Sequence, residues 1–202
     1  GKSILGCRPW KGINAVSHAA KCIQKIDEMD QSFTDRVHPL LTRATIVPTT
    51  IEGGLAVNMV PDRCKLGVNR RLLPTETMEE AVTEIQGMID ELHAEDPTVN
   101  ASIDVWKNCR PAWEISAEEP IVKAVQKAHK IVHGKDLPVA GKEGGTDASY
   151  IHTQTGIPMP VYGPGDYMQY VGAVNENIAL DDVIDTVKVY ALAIYYYLGL
   201  AE

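Results

Sequence analysis

The sequence contains no run of about 18 or more apolar residues, so no transmembrane helix is expected. It has no surplus of positive charge. Lys and Arg total 19 against 27 Asp and Glu, a net charge of -8 and a pI of about 5.2. A sequence-blind grip on nucleic acid or on an anionic membrane surface is therefore not expected. Its four cysteines, Cys7, Cys22, Cys64 and Cys109, form no CxxC pair, which excludes a metal knuckle or a thioredoxin-like redox motif. No internal repeat, low-complexity stretch or signal peptide interrupts the chain. It also has no initial methionine: it begins Gly1-Lys2-Ser3, and the expectation is a removed leader or a piece of something longer.

What is present is ordinary globular composition: 202 residues, 45% hydrophobic, 23% charged, mean hydropathy -0.13. That length allows one or two domains and a core that needs no covalent staples. The cysteines are therefore expected to be reduced, mostly buried thiols in a cytoplasmic protein.

Along the first half, Ile4-Leu5 precedes Pro9, and apolar residues from Ile13 to Ile26 follow helical spacing. Thr45 to Val47 reads as a strand stopped by Pro48. Leu55 to Val60 and Lys65 to Leu73 read as two more. Thr77 and Glu80 have capping-box spacing ahead of a helix whose apolar face is Val82, Ile85, Ile89 and Leu92. Val99 to Val105 alternates as a strand does. The order is strand, helix, strand, strand, helix, strand, a split βαβ layer.

A boundary is expected near Trp113. Ser116 and Glu119 give a second capping-box spacing, before a helix ended by Gly134 with Ile121, Val122, Val125, Ala128 and Val132 inward. Gly144-Gly145-Thr146-Asp147 is a tight turn into a short helix, and Ile157 to Tyr162 reads as a buried strand. Leu180 to Leu198 is a long helix with Val183, Val187, Tyr190, Ala191, Ile194 and Tyr195 on its inner side. This half reads as an α/β layer.

Candidate chemistry is sparse. His129 and His133 share a helix face, but Lys130 stands where a zincin has Glu, and His133 precedes the Gly134 stop. Surface capping of the helix end is the expectation, and His18, His38 and His93 are read the same way. The glycines of the 144–149 turn are compatible with a phosphate nest, although the Walker ending is missing. Glu143, Asp147, Asp166 and Glu176 stand beside glycine-rich turns, where both catalytic acids and ordinary turn caps occur.

Five segments, in order, carry a resemblance. They are GKSxxGxRPWxGxNA at Gly1 to Ala15, NMVPDRCKLGVNRRLLP at Asn58 to Pro74, GGTDA at Gly144 to Ala148, GIPxxVYGPG at Gly156 to Gly165 and NENI at Asn175 to Ile178. Together they are similar to the dinuclear-zinc amidohydrolases and metallopeptidases that include aminoacylase, acetylornithine deacetylase, succinyl-diaminopimelate desuccinylase and carboxypeptidase G. The resemblance implies an α/β protein in two parts. Residues 1–113 would be a four-stranded split βαβ (ferredoxin-like) lid that forms a homodimer. Residues 114–202 would be the C-terminal strand-and-helix portion of the catalytic α/β domain.

The implied reaction is hydrolysis of the C–N amide bond of an N-acyl amino acid or small peptide. Zinc is the cofactor of complete members, and none is expected for this chain alone. Carried over residue by residue, Asn58 and Arg71 match the lid positions that contact the substrate carboxylate, and Gly144, Gly145 and Thr146 match the loop bordering the pocket. The family's HxD, bridging Asp and Glu-Glu segments have no counterpart in the sequence. Leu5 stands at the lid histidine, Ser149 at an arginine, and Gly172 at the last zinc-ligating histidine. No catalytic or metal-ligating residue is assigned, and the chain alone is expected to be inactive. The alternative is a non-catalytic homodimer that binds a small carboxylate.

Overall fold

The computed structural model describes residues 1–165, 172 and 174–199. The chain divides into two compact units, Gly1–Ala112 and Trp113–Glu202. Each is built from helices and, in the first, from short antiparallel strands.

In the first unit, β1 (Ile4–Leu5) pairs with β3 (Met59–Val60), and β2 (Thr45–Gly53) pairs with β4 (Cys64–Arg71). The four strands thus form two separate two-stranded sheets among the described residues, not the single four-stranded layer expected. β2 runs through Pro48 instead of stopping there. The register shifts between Pro48 and Thr50, and such a bulge accommodates a residue that lacks an amide donor. Of the expected Leu55–Val60 strand, only its last two residues pair. The β1–β3 pair closes tightly over Gly12, where a Cβ would lie 2.6 Å from Ile4 Cγ2 and 3.1 Å from Val60 Cγ1.

Helix α1 (Ala15–Ser32) begins where Asn14 Oδ1 accepts from the amides of Val16 and Ser17. Helix α2 (Met78–Glu95) has the expected capping box. The Glu80 amide donates to Thr77 Oγ1 at 3.2 Å, and the Thr77 amide donates to Glu80 Oε2 at 2.8 Å. These helices enclose the principal core, where Ile26, Phe33, Ile46, Leu73, Ile89, Leu92 and Val99 are buried. Val99 enters that core without belonging to a strand. The 99–105 alternation directs Val99 and Ile103 inward, but no neighbouring edge supplies a hydrogen-bond ladder among the described residues.

The second unit packs α3 (Pro120–His133) against α5 (Leu180–Leu198) through Val125, Ala128, Val189 and Ala193, with α4 (Ala148–Thr155) between them in sequence. Ser116 and Glu119 do not make the expected box. Ser116 Oγ accepts from the Glu118 amide, and the helix starts at Pro120, whose fixed φ and missing N–H suit a first position. The 157–162 segment is no strand, and Ile157 and Val161 are exposed, contrary to the expected buried strand. Without a partner edge, β propensity does not make a strand.

The face of α5 is also corrected. Thr186, Val189 and Ala193 face inward, while Val187, Tyr190, Ala191, Ile194 and Tyr195 are exposed. This helix is apolar around most of its circumference, so periodicity alone does not choose its inner side. None of the four cysteines is in a disulfide; Cys7 is exposed and the other three are half-buried, less covered than expected. No described helix is long and apolar enough to cross a membrane.

Candidate functional site

Asn58 lies in the turn entering β3, and its carbonyl accepts from the Gly6 amide at 2.7 Å. Leu5 is registered opposite Met59, so the structure places Leu5 beside Asn58 on one small sheet. Arg71 ends β4 on the other sheet, opposite Thr45. At a rise of roughly 3.3 Å per residue, β4 alone separates Cys64 from Arg71 by about 23 Å. The Asn58 and Arg71 side chains are exposed, and neither makes a hydrogen bond among the described residues.

The preceding arginine behaves oppositely. Arg70 is tucked beneath the sheet, 2.7 Å from Glu76 Oε1, with its guanidinium 4.5 Å from the Phe33 ring centroid. Alternation along one strand thus gives adjacent arginines separate tasks, one packed and one free to meet a solute.

In the second unit, Gly144 and Thr146 are half-buried and Gly145 is exposed, directly ahead of α4. Neither glycine has a positive φ, so the turn lacks the left-handed step of an anion nest. Thr146 accepts through its carbonyl from the Ser149 amide at 3.2 Å and from Ser149 Oγ at 2.9 Å. Ser149 is buried, which explains locally why a small hydroxyl residue rather than an arginine stands there. Glu143 and Asp147 are exposed on this loop, and Asp166 lies outside the described residues.

Gly172 occupies a left-handed position with φ of 75°, and its amide donates to Glu176 Oε2 at 3.2 Å. Asn175 shares the left-handed region at φ 67°. Glu176 therefore caps a tight turn. His152 is equally structural: its Nδ1 lies 2.8 Å from the Ile157 carbonyl, and its ring packs 5.4 Å from that of Trp113.

One cluster escaped the sequence reading. His129 is buried, not a surface cap, and its Nδ1 lies 2.9 Å from Tyr162 Oη. The His133 ring packs 4.4 Å away, and Tyr190 Oη donates to the Tyr162 carbonyl at 2.6 Å. Burial first, then His133 and Lys135, pushes the His129 pKa down, favouring a neutral imidazole. The signal was available, because His129 falls on the same helical face as Val125, Ala128 and Val132.

Zinc does not fit the donors on hand. Among the described residues no three His, Cys, Asp or Glu side chains converge as metal ligands, and Gly172 carries no donor side chain. Asn58 and Arg71 stand on separate sheets of the first unit, and the 144–146 loop belongs to the second.

The chain is similar to several known proteins. Residues 1–97 match the peptidase dimerisation domain of the M20 hydrolases. Over those residues, just under half of the chain, it is similar to that domain. It is 25% identical over 192 residues to N-formyl-4-amino-5-aminomethyl-2-methylpyrimidine deformylase of Bacillus subtilis, covering 88% of this chain and 45% of that protein. It is 24% identical to acetylornithine deacetylase of Myxococcus xanthus, covering 98% and 51% respectively. Its fold matches that of an M20 family metallo-carboxypeptidase from Sulfolobus solfataricus with a TM-score of 0.77 at 19% identity, over 98% of this chain and 55% of the other. The chain spans about half the length of the curated relatives it matches.

Proposed function

We propose that this chain is the lid and the C-terminal catalytic portion of a zinc-dependent hydrolase that cleaves the amide bond of N-acyl amino acids or small peptides. Residues 1–113 serve as lid and homodimer contact, and residues 114–202 as the catalytic remainder. The observation that carries the reading is the dimerisation-domain match joined to relatives whose named reactions share one chemistry. A deformylase, a deacetylase and a carboxypeptidase each separate an acyl carbon from a nitrogen. The metal would be held by polypeptide equivalent to the half of those relatives that this chain does not span. Asn58, Arg71 and the Gly144–Thr146 loop would border the substrate, with Arg71 offering a bidentate fork to its carboxylate. Cysteines outside any disulfide are in keeping with a cytoplasmic setting.

In this reading the chain alone does not turn over substrate. Metal analysis of the purified chain and an assay on N-acetyl and N-formyl amino acids test it. Sub-stoichiometric zinc and background hydrolysis are expected, whereas stoichiometric zinc or turnover would overturn the claim of an incomplete site.

Leu5 and Gly172, neither of which offers a side-chain donor, favour a second reading. It is a non-catalytic homodimer that holds a small carboxylate at Asn58 and Arg71. Calorimetric titration with an N-acetyl amino acid separates the two when the rest of the enzyme is supplied: binding without hydrolysis supports the second alone.

A further inference from the structure

The chain carries a net charge of -8, yet its first acidic residue is Asp27. Lys2, Arg8 and Lys11 precede it, all exposed and without an ion pair among the described residues. Elsewhere in the first unit, Lys21, Lys25, Arg36, Arg43 and Arg70 each meet a carboxylate at 3.5 Å or less. The edge that holds the three unpaired cations also exposes large apolar side chains. Trp10 is 75% exposed, and in the loop entering β3 Leu55 is 96% and Val57 109% exposed.

Backbone hydrogen bonds make these residues one surface. The Gly6 amide donates to the Asn58 carbonyl at 2.7 Å, joining the first segment to that loop. The Lys2 amide donates to the Ile13 carbonyl at 2.8 Å, and the Ile13 amide returns a bond to Lys2 at 3.0 Å. This pairing folds Arg8, Trp10 and Lys11 back beside β1. Gly54, at φ 86°, turns the chain out of β2 and leaves Leu55 and Val57 projecting. Asp62 and Arg63 follow β3 and offset each other, so the three cations stay uncompensated.

We propose that this edge, residues 1–12 with the 54–58 loop, docks a short acidic segment of another protein whose carboxylates alternate with apolar side chains. Trp and Arg are enriched at interface hot spots, and exposed apolar patches mark interaction sites. A small molecule is a poorer fit, because its sites are concave and this edge projects. Nucleic acid would leave Leu55 and Val57 without partners, since bases stack on aromatic side chains. An anionic membrane extends far beyond the screening length of about 8 Å and would meet the acidic remainder of the chain. A short segment stays within the cationic edge. A second copy related by a two-fold axis would set cations against cations. Neither turnover nor the hydrolase reading enters the proposal.

The probe is a fluorescein-labelled octapeptide alternating Glu with Leu and Phe, amidated so that it offers no terminal carboxylate to Arg71. Its binding to the full chain is read by fluorescence anisotropy. The expected result is saturable binding that weakens about tenfold between about 50 and about 300 mM salt. A peptide with Gln in place of Glu should bind at least as weakly as the acidic one does at the higher salt. Arg8→Gln/Lys11→Gln should cut affinity about tenfold, and Trp10→Ala or Leu55→Ser/Val57→Ser about fivefold, with circular dichroism unchanged. If Trp10→Ala disturbs the fold, the loop pair still decides the apolar contribution. No binding, or binding indifferent to these substitutions, overturns the proposal. Tighter binding of an oligothymidylate or of phosphatidylserine vesicles overturns it in favour of that partner. A dimer in light scattering that Arg8→Gln/Lys11→Gln dissociates assigns the edge to a second copy and overturns it as well. Arg71→Ala should leave peptide affinity unchanged, and a loss there would move the peptide to the substrate contact and overturn a separate docking edge.

Discussion

Arg70 and Glu76 meet at 2.7 Å with side chains only 10% and 13% exposed, and Glu76 also accepts from the Leu73 amide at 2.8 Å. Arg36 joins the same carboxylate at 3.2 Å, and both guanidinium groups lie over the Phe33 ring. The cluster fastens the end of β4 to the approach to α2. Removing the carboxylate charge leaves Arg70, in a poorly solvated place, with Glu84 Oε2 at 3.8 Å as its remaining anion. Glu76→Gln is expected to cost about 1–3 kcal/mol of unfolding free energy, since breaking a buried pair leaves the Arg70 charge only partly compensated by Glu84. Urea unfolding followed by circular dichroism measures it. Joint replacement of Arg70 and Glu76 by Met and Leu should cost less than the single change, and an equal or larger loss would contradict this account.

The same carboxylate gives the first unit an acid limit. Burial opposes ionisation of Glu76, but hydrogen bonds from Arg70 and the Leu73 amide outweigh it, and the pKa is lowered overall. A lowered folded-state value means the stabilisation is complete above the unfolded carboxylate pKa of about 4.3 and is lost as pH falls through the folded value. The wild-type chain should lose stability on that descent, and Glu76→Gln should lose less. Parallel pH profiles for the two proteins would show that other carboxylates, such as Asp30 paired with Arg43, govern the acid limb.

Thr77→Ala removes the hydroxyl that accepts from the Glu80 amide and leaves an unsatisfied donor in the first turn of α2. A loss of about 1 kcal/mol is expected, with Thr77→Ser close to wild type. Thermal melts of the three proteins decide it. Equal melting temperatures for Ala and Thr would mean that Glu80 alone holds the helix start.

Legibility in the sequence followed how local each determinant is. The Thr77–Glu80 box, the Gly134 stop and the extent of α5 depend on neighbouring residues, and each stands where spacing placed it. Pairing is not local. Val99 to Val105 alternates correctly yet finds no ladder, and β2 continues past Pro48 because β4 accommodates a bulge there. The inner side of α5 was unreadable because both sides are apolar. For the candidate site, motif order nominates Asn58, Arg71 and the Gly144 turn. Only coordinates separate packed Arg70 from free Arg71, or show that Gly144 and Gly145 form no nest.

His129 should give the second unit an acid sensitivity of its own. The ring is buried against Tyr162, beside His133 and near Lys135, with Asp185 of α5 engaged by Lys188. Its pKa is lowered by burial first, so the stability it contributes is present above the unfolded value of about 6.5 and is lost as pH falls through the folded value. The second unit is therefore expected to unfold more readily near pH 5 than near pH 7.5, with His129→Gln flattening the difference. Hydrogen exchange of α3 amides at the two pH values, corrected for intrinsic rates, is the measurement. Unchanged protection would place the titrating group elsewhere.

Arg71 offers the cleanest separation of binding from stability. Its side chain is exposed and makes no hydrogen bond among the described residues, although its backbone is paired with Thr45. Arg71→Ala should change unfolding free energy by no more than about 0.5 kcal/mol, as exposed substitutions usually do. If the guanidinium receives a substrate carboxylate, the same change should abolish the heat of binding an N-acetyl amino acid. Arg71→Lys should retain only weak binding, because a lysine keeps the charge but loses the fork that matches both carboxylate oxygens. Calorimetry on wild type, Ala and Lys therefore reads geometry as well as charge. Indistinguishable binding in all three would move carboxylate recognition away from β4 and leave Asn58, at the edge beside Leu5, as the residue to test next.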